Sequence, residues 1–187
     1  MSLFGVDIPP DLLYLPEWLS EDEHESVLVE VDGNAFETML SRRVQHYGAR
    51  YDYQSGEVQS VGSAPPIPTE LQKIGKRLFS EGYFDRDPDQ VIVNEYLWDQ
   101  GIARHIDRTS FGSVVATVSL LESWPMQFFG PHDEKLEVLL EARSLAVMRG
   151  ESRYLWSHGI LKRKSDAIGG LRVNRTRRLS LTFRTLL

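Results

Sequence analysis

The chain has 187 residues, 41% of them hydrophobic, and a formal net charge of −6. This length suits one domain with a substantial core and is too short for two full domains. The absence of cysteine excludes disulfides, zinc–thiolate sites, iron–sulfur clusters and a cysteine nucleophile, so any metal is held by histidine and carboxylate side chains.

The chain shows no targeting or membrane signal. Its first residues, 1–7, lack a basic region followed by an apolar stretch, and no run approaches the roughly 18 apolar residues of a membrane span. We therefore expect a soluble, cytoplasmic, monomeric protein with no membrane contact.

Two helices are predicted in the first half of the chain. Ser20-Glu21-Asp22-Glu23 has the form of a capping box, which predicts a helix from there to about Gly33. A second helix is predicted from about Thr69 to Gly82, because its apolar residues fall on one stripe at helical spacing. The residues of that stripe are Leu71, Ile74 and Leu78.

Between and after these helices the patterns change. Residues 41–66 contain three glycines and the pair Pro65-Pro66, which predict an irregular or hairpin-like loop. From Gln90 onward, short β-type runs separated by turn residues predict a sandwich or barrel. These runs are Val91–Leu97, Ser113–Leu120, Met126–Phe129, Leu136–Leu140, Ser144–Met148 and Arg178–Arg184.

Basic residues are unevenly distributed along this acidic chain. Eight lie between Lys162 and Arg184 against one acid, Asp166, and an earlier group comprises Arg42, Arg43 and Arg50. Either group is a solvated face on its own. A nucleic-acid surface is favoured only if the two groups share one side of the fold.

The candidate metal ligands begin with His105-Ile106-Asp107, since residues two apart on a strand point to the same side. This pair alone is a weak signal. Among the remaining histidines, His158 stands out because an apolar strand precedes it and Gly159 lets the backbone approach closely. Two histidines and one carboxylate with open positions suit a non-haem Fe(II) oxygenase. The alternative is a buried His158 satisfied by a backbone carbonyl.

Two strands carry candidate anion-binding groups. In Arg178–Arg184, residues Leu179, Leu181 and Phe183 face the core, so Arg178 and Arg184 face the other way. Those arginines either meet solvent or bind a buried carboxylate. Asn94 and Tyr96 share a face of the strand before them and offer an amide and a phenol to an organic dicarboxylate.

Together these segments resemble the AlkB family of 2-oxoglutarate dioxygenases. The order and spacing agree over about residues 90–187, and a looser match covers Tyr14 to Trp18 and Arg42 to Gly56. The matching motifs are Asn94-Glu95-Tyr96 with Gly101-Ile102, His105-Ile106-Asp107, Phe111-Gly112 with Ser119-Leu120, Gly150-Glu151-Ser152-Arg153, Trp156-Ser157-His158-Gly159-Ile160 and Arg178 to Arg184.

The resemblance implies a mainly β fold with flanking helices (α+β), the double-stranded β-helix or jelly roll. It implies one domain over 1–187, with a catalytic core at about 90–187 and a substrate lid at about 41–66. Fe(II) would be bound by His105, Asp107 and His158, and the cosubstrate 2-oxoglutarate by Asn94, Tyr96 and Arg178, with Arg184 beside its iron end. O2 would take the remaining metal position.

The resemblance also suggests a substrate. The segment Arg42 to Gly56 is similar to the nucleotide-recognition lid of nucleic-acid demethylases, whose aromatic residues stack on a flipped base. The alternative is that the tyrosines only pack the lid down. The substrate-binding candidates are Arg42, Arg43, His46, Tyr47, Tyr51 and Tyr53.

One departure concerns the substrate class. Where DNA-repair members carry an acidic residue after the His-x-Asp motif, this chain has Arg108-Thr109-Ser110, which is closer to the tRNA-modifying branch. We expect a stand-alone oxidative demethylase of N-alkylated bases whose partner is methylated single-stranded nucleic acid or tRNA. A hydroxylase of protein or small-molecule substrates and a binding module without catalysis are the alternatives.

Overall fold

The computed structural model describes residues 7–39, 42–52 and 57–187. Most of its regular structure is β. The elements are β1 (Leu12–Leu15), α1 (Glu21–Asp32), β2 (Glu37–Met39), β3 (Arg42–Tyr47), α2 (Thr69–Ser80), β4 (Gln90–Leu97), β5 (Ile102–His105), β6 (Phe111–Leu120), β7 (Trp124–Phe129), β8 (Lys135–Leu140), β9 (Leu145–Met148), α3 (Gly150–Tyr154), β10 (Ser157–Ile160), β11 (Ser165–Ile168), β12 (Leu171–Asn174) and β13 (Arg177–Leu186).

Two sheets face each other in the order expected of a jelly roll. The major sheet has seven strands in the order β1-β9-β6-β13-β4-β3-β2, and the minor sheet has four in the order β5-β10-β7-β8. Every paired strand in both sheets runs antiparallel to its neighbour. The strands β11 and β12 form a separate hairpin.

The two predicted helices cover the outer face of the major sheet. Helix α1 begins with the predicted capping box, in which the Glu23 amide donates to Ser20 Oγ and the Ser20 amide donates to the Glu23 carboxylate. Helix α2 follows Pro68, which has no capping side chain. Glu30 of α1 caps it instead, by accepting from the Glu70 and Leu71 amides. The helices thereby pack on the sheet as a pair.

Strand β13 lies at the centre of the major sheet, between β4 and β6, and is buried on both faces. Leu179, Leu181 and Phe183 are fully buried in the core beneath the helices, as the alternation predicted. The opposite face points between the sheets, where a second apolar cluster includes Phe128 and Met148. A cavity of about 690 Å³ opens beside that cluster.

The prediction of an irregular or hairpin-like loop over 41–66 missed a strand of the major sheet at its start, although that strand does form a hairpin with β2. Residues 42–47 form strand β3, which pairs with β4 so that Val44 lies opposite Asn94. Polar residues such as Gln45 and His46 are buried here, so the strand lacks the hydrophobic alternation by which strands are identified. Residues 40–41 and 53–56 lie outside the described residues.

No described helix is long and apolar enough to cross a membrane.

Candidate active site

Strand pairing brings the three predicted metal ligands together. Strands β5 and β10 are antiparallel neighbours, and His158 lies directly opposite His105 with ring centroids 4.5 Å apart. Asp107 lies two residues beyond the end of β5, not on the strand as predicted. One potential ligand atom from each residue lies within 4.8 Å of the others, so the three side chains can share one ion.

The protonation states of the three residues suit a metal. His105 Nδ1 lies 2.9 Å from the carbonyl oxygen of Ala103. Because a carbonyl oxygen can only accept a hydrogen bond, Nδ1 is the donor and Nε2 is the ring nitrogen that can bind a metal. Burial lowers the pKa of His158 to about 4, so this imidazole is neutral at neutral pH. Burial alone raises the pKa of Asp107, but the Arg184 guanidinium and the two histidines bring it well below its usual range. The carboxyl is therefore ionised.

Two arginines hold Asp107 in place. Arg184 Nη2 donates to Asp107 Oδ1 at 2.5 Å and Nη1 donates to Gln90 at 3.2 Å, while Asp107 Oδ2 faces His158 Nε2 at 3.6 Å. Arg153, fully buried at the end of α3, donates to the carbonyls of Asp107 and Arg108 at 2.8 and 2.6 Å. These bonds replace the strand pairing that the chain loses after His105.

Arg178 is a buried cation without a carboxylate partner among the described residues. It is 0% exposed, and among the described residues its one hydrogen bond runs from Nη2 to the hydroxyl of Ser119 at 2.8 Å. Nε and Nη1 lack partners in the described part of the chain. Burial lowers its pKa to about 10, so it stays charged at neutral pH. A buried charge of this kind is costly unless an anion compensates it, which fits a bound dicarboxylate.

Asn94 and Tyr96 lie beside Arg178 on neighbouring strand β4, opposite Ser180 and Arg178 respectively. The Tyr96 ring centroid lies 5.6 Å from the Arg178 guanidinium and 5.8 Å from that of Arg42. Asn94 Oδ1 accepts from Arg42 Nε at 2.8 Å. Asn94 and Tyr96 line the same cavity as the metal ligands and Arg184. The three metal ligands therefore share one space with Asn94, Tyr96 and Arg184, and Arg178 lies next to Tyr96 without being among the lining residues.

The six substrate-binding candidates do not all face the cavity, because the side chains of β3 alternate between its two faces. Arg42 and Tyr51 line the cavity, and His46 is buried on the same strand face as Arg42. Arg43 and Tyr47 point to the helix-covered face, where Arg43 pairs with Glu95 and Tyr47 joins the apolar core. Tyr53 lies outside the described residues.

Arg153 is the site residue for which sequence reasoning assigned no role. Its partners are backbone carbonyls, which leave no side-chain pattern in the sequence. The available signal was its place in Gly150-Glu151-Ser152-Arg153, one of the motifs on which the AlkB resemblance depends.

Comparisons with known proteins agree with this site. The model of the 2OG-Fe(II) oxygenase superfamily matches residues 11–184. The mouse protein named tRNA (carboxymethyluridine(34)-5-O)-methyltransferase ALKBH8 is 38% identical over 170 residues, which cover 86% of this chain and 26% of that protein. Mouse alpha-ketoglutarate-dependent dioxygenase alkB homolog 7, mitochondrial, is 31% identical over 183 residues, covering 91% of this chain and 76% of that protein.

A solved structure titled "The structure of OsALKBH1" superposes with a TM-score of 0.71 at 22% identity, covering 96% of this chain and 98% of that one. It confirms the predicted jelly roll. The chain spans about a quarter of the length of the ALKBH8 relatives that it matches. The sequence matches confirm the AlkB resemblance.

His158→Ala removes one of the three metal ligands. We expect the variant to lose stoichiometric binding of Mn(II), a redox-inert substitute for Fe(II), in a calorimetric titration, and to produce no succinate. His132→Ala, which changes an exposed histidine outside the cavity, is the matched control and should bind as wild type does. Wild-type succinate production by His158→Ala would show that the ligand assignment is wrong.

Arg178→Ala removes the buried cation. Loss of one partner of a buried, hydrogen-bonded charge pair costs about 2–5 kcal/mol, so the 2-oxoglutarate dissociation constant should rise at least about thirtyfold. The measurement is 2-oxoglutarate binding to Mn(II)-loaded protein, with Arg172→Ala on the exposed hairpin as control. An unchanged dissociation constant would assign the anchor to another residue.

Arg153→Met keeps side-chain volume and removes the two hydrogen bonds to the Asp107 segment. We expect Mn(II) affinity to fall by about 10–100-fold, the usual effect of losing an outer partner of a metal ligand. Arg153→Lys should restore part of that affinity, because an ammonium still donates to one carbonyl. Equal affinity in all three proteins would make Arg153 a packing residue only.

Proposed function

Because this chain belongs to the 2OG-Fe(II) oxygenase superfamily and to its AlkB-like members, we propose that it oxidatively demethylates N-alkylated bases in single-stranded DNA or RNA, tRNA included. Membership of this superfamily makes the chain an oxidoreductase of the dioxygenase class. The cofactors of that class are Fe(II), 2-oxoglutarate and O2. The substrate and the use of segment 41–66 as a substrate lid are the proposed part.

The residues described above divide the chemistry between them. His105, Asp107 and His158 would hold the iron, since they can share one ion, and Arg178, Asn94 and Tyr96 on adjoining strands would hold 2-oxoglutarate. The bound metal and cosubstrate supply oxygen activation, with decarboxylation to succinate and hydroxylation of a substrate C–H bond. An N-hydroxymethyl group formed in this way leaves as formaldehyde.

The protein's own part is orientation and charge. Arg184 fixes one carboxylate oxygen of Asp107 and leaves the other free for the metal. Arg178 neutralises one end of the dicarboxylate. On β13 the two arginines are six residues apart, which separates their Cα atoms by about 20 Å. Arg178 would therefore act at the cosubstrate anchor beside Tyr96, and Arg184 at the metal ligands.

The observation that carries the nucleic-acid proposal is the composition of the cavity wall. Four arginines line it against a single carboxylate, that of Asp107: they are Arg42, Arg104, Arg108 and Arg184. Tyr51 lines it as well, with its ring centroid 6.1 Å from that of Phe111. A cationic wall with aromatic rings suits a flipped base on a phosphate backbone better than a neutral peptide.

The test is formaldehyde and succinate release by Fe(II)-loaded protein with a panel of N-methylated DNA and RNA oligonucleotides. We expect at least one oligonucleotide to yield formaldehyde in step with succinate. Tyr51→Ala should raise the KM for that oligonucleotide by roughly 5- to 150-fold, since a base stack contributes about 1–3 kcal/mol. Phe79→Ala, which removes an exposed ring of α2, should match wild type.

Two outcomes contradict this reading in different ways. If no methylated oligonucleotide binds or stimulates turnover even at low salt, the substrate is a protein or a small molecule. If Tyr51→Ala leaves the KM unchanged, the base is held elsewhere in the cavity, and the proposal for Tyr51 fails while the demethylase activity stands.

A further inference from the structure

Most of the basic C-terminal residues are unavailable to a partner. Of the eight between Lys162 and Arg184, five are committed inside the fold: Arg163 and Arg175 to Asp166, Arg177 to Asp32 and Glu95, Arg178 to its buried position, and Arg184 to Asp107. The other three are exposed and have no carboxylate partner among the described residues. They are Lys162, Lys164 and Arg172.

One of these three cations lies against an exposed tryptophan. Lys164 Nζ is 4.6 Å from the ring centroid of Trp98, which is 47% exposed in the turn between β4 and β5. Arg172 lies on β12 and donates to Ser165 of β11 at 3.0 Å, and Lys162 lines a groove with Asp99 of the same turn. The three cations thus belong to the β11–β12 hairpin, the segment that leads into it and the groove beside the turn.

A buried ion pair fixes the hairpin against that turn. Arg175 binds both oxygens of Asp166, at 2.5 and 2.9 Å, and both side chains are nearly fully buried. Arg175 Nη1 also donates to the Leu161 carbonyl at 2.8 Å and to the Gln100 carbonyl at 3.4 Å. The cations are therefore held in a defined position relative to Trp98.

This region is continuous with the active site. Residues 101–104 line both the active-site cavity and a second groove of about 580 Å³, whose walls include Lys162, Phe129 and Asp99. Arg104 stacks its guanidinium 4.3 Å from the Phe129 ring centroid at this groove. Strand β5 is thus a shared wall, and a polymer leaving the cavity across it reaches Lys162.

We propose that Trp98, Lys162, Lys164 and Arg172, together the Trp98 surface, bind the nucleic-acid strand next to the target nucleotide. Trp98 stacks on a neighbouring base and the three cations contact phosphates. The proposal rests on the proposed function and adds the path of the strand. On a chain with a net charge of −6, a polyanion binds where unpaired cations are concentrated.

The test measures binding of the best oligonucleotide from the panel by fluorescence anisotropy, with Mn(II)- and 2-oxoglutarate-loaded protein over a range of salt. We expect Lys162→Gln/Lys164→Gln to weaken binding and to reduce the slope of log K against log salt by about 1.5 units, since each lost phosphate contact removes about 0.7–0.9. Trp98→Ala should weaken binding by roughly 5- to 150-fold, and Trp98→Phe should restore most of it.

The matched control is Lys73→Gln/Lys76→Gln, which removes two exposed charges from α2 on the far side of the major sheet. It should leave affinity and slope unchanged. If wild type binds but the Lys162/Lys164 variant shares its affinity and slope, the proposal for the Trp98 surface is overturned and the demethylase proposal survives. If wild type binds no oligonucleotide, both are overturned. Unchanged 2-oxoglutarate binding in each variant verifies its fold.

Discussion

The site depends on an arginine that the fold buries without a countercharge. Arg178 lies on the central strand of the major sheet, is fully buried and keeps its charge, and within the described part of the chain its one hydrogen bond goes to a neutral hydroxyl. Such a residue costs stability unless a ligand compensates it. We infer that the fold retains it because a bound carboxylate provides that compensation.

The central position of β13 determines much of the remaining arrangement. One face of the strand supplies Leu179, Leu181 and Phe183 to the core beneath the helices, and the other carries Arg178 beside Tyr96 and Arg184 on the cavity wall. The same strand thus joins the packing that stabilises the sheet to the arginine that orients Asp107 and to the buried cation proposed to bind the cosubstrate. A register shift of one residue would exchange the two sets of side chains.

The minor sheet contributes the two histidines of the candidate metal site. His105 and His158 come from its neighbouring strands, and Asp107 follows directly after β5. Since that segment has no strand partner at Asp107, its position depends on arginines from two other elements, Arg153 of α3 and Arg184 of β13. The metal centre is therefore assembled from both sheets.

The features that sequence could predict are those with a local pattern. The capping box at Ser20 and the alternation of β13 each appear in neighbouring residues, and the motif around His158 carried the family resemblance. Strand β3 was missed because burial of Gln45 and His46 depends on a sheet formed with distant strands. The commitment of Arg43 to Glu95 and of Arg153 to backbone carbonyls likewise depends on tertiary contacts between residues far apart in the chain.

The central claim is tested most directly by the free energy of unfolding of wild type and Arg178→Met, each loaded with Mn(II), with and without 2-oxoglutarate. Without the cosubstrate, we predict that the variant is at least as stable as wild type, because Met removes an uncompensated buried charge while keeping the volume. At a concentration one hundred times the wild-type dissociation constant, 2-oxoglutarate should stabilise wild type by about 2.7 kcal/mol and the variant by about 1 kcal/mol or less. Equal stabilisation of both proteins would contradict the account.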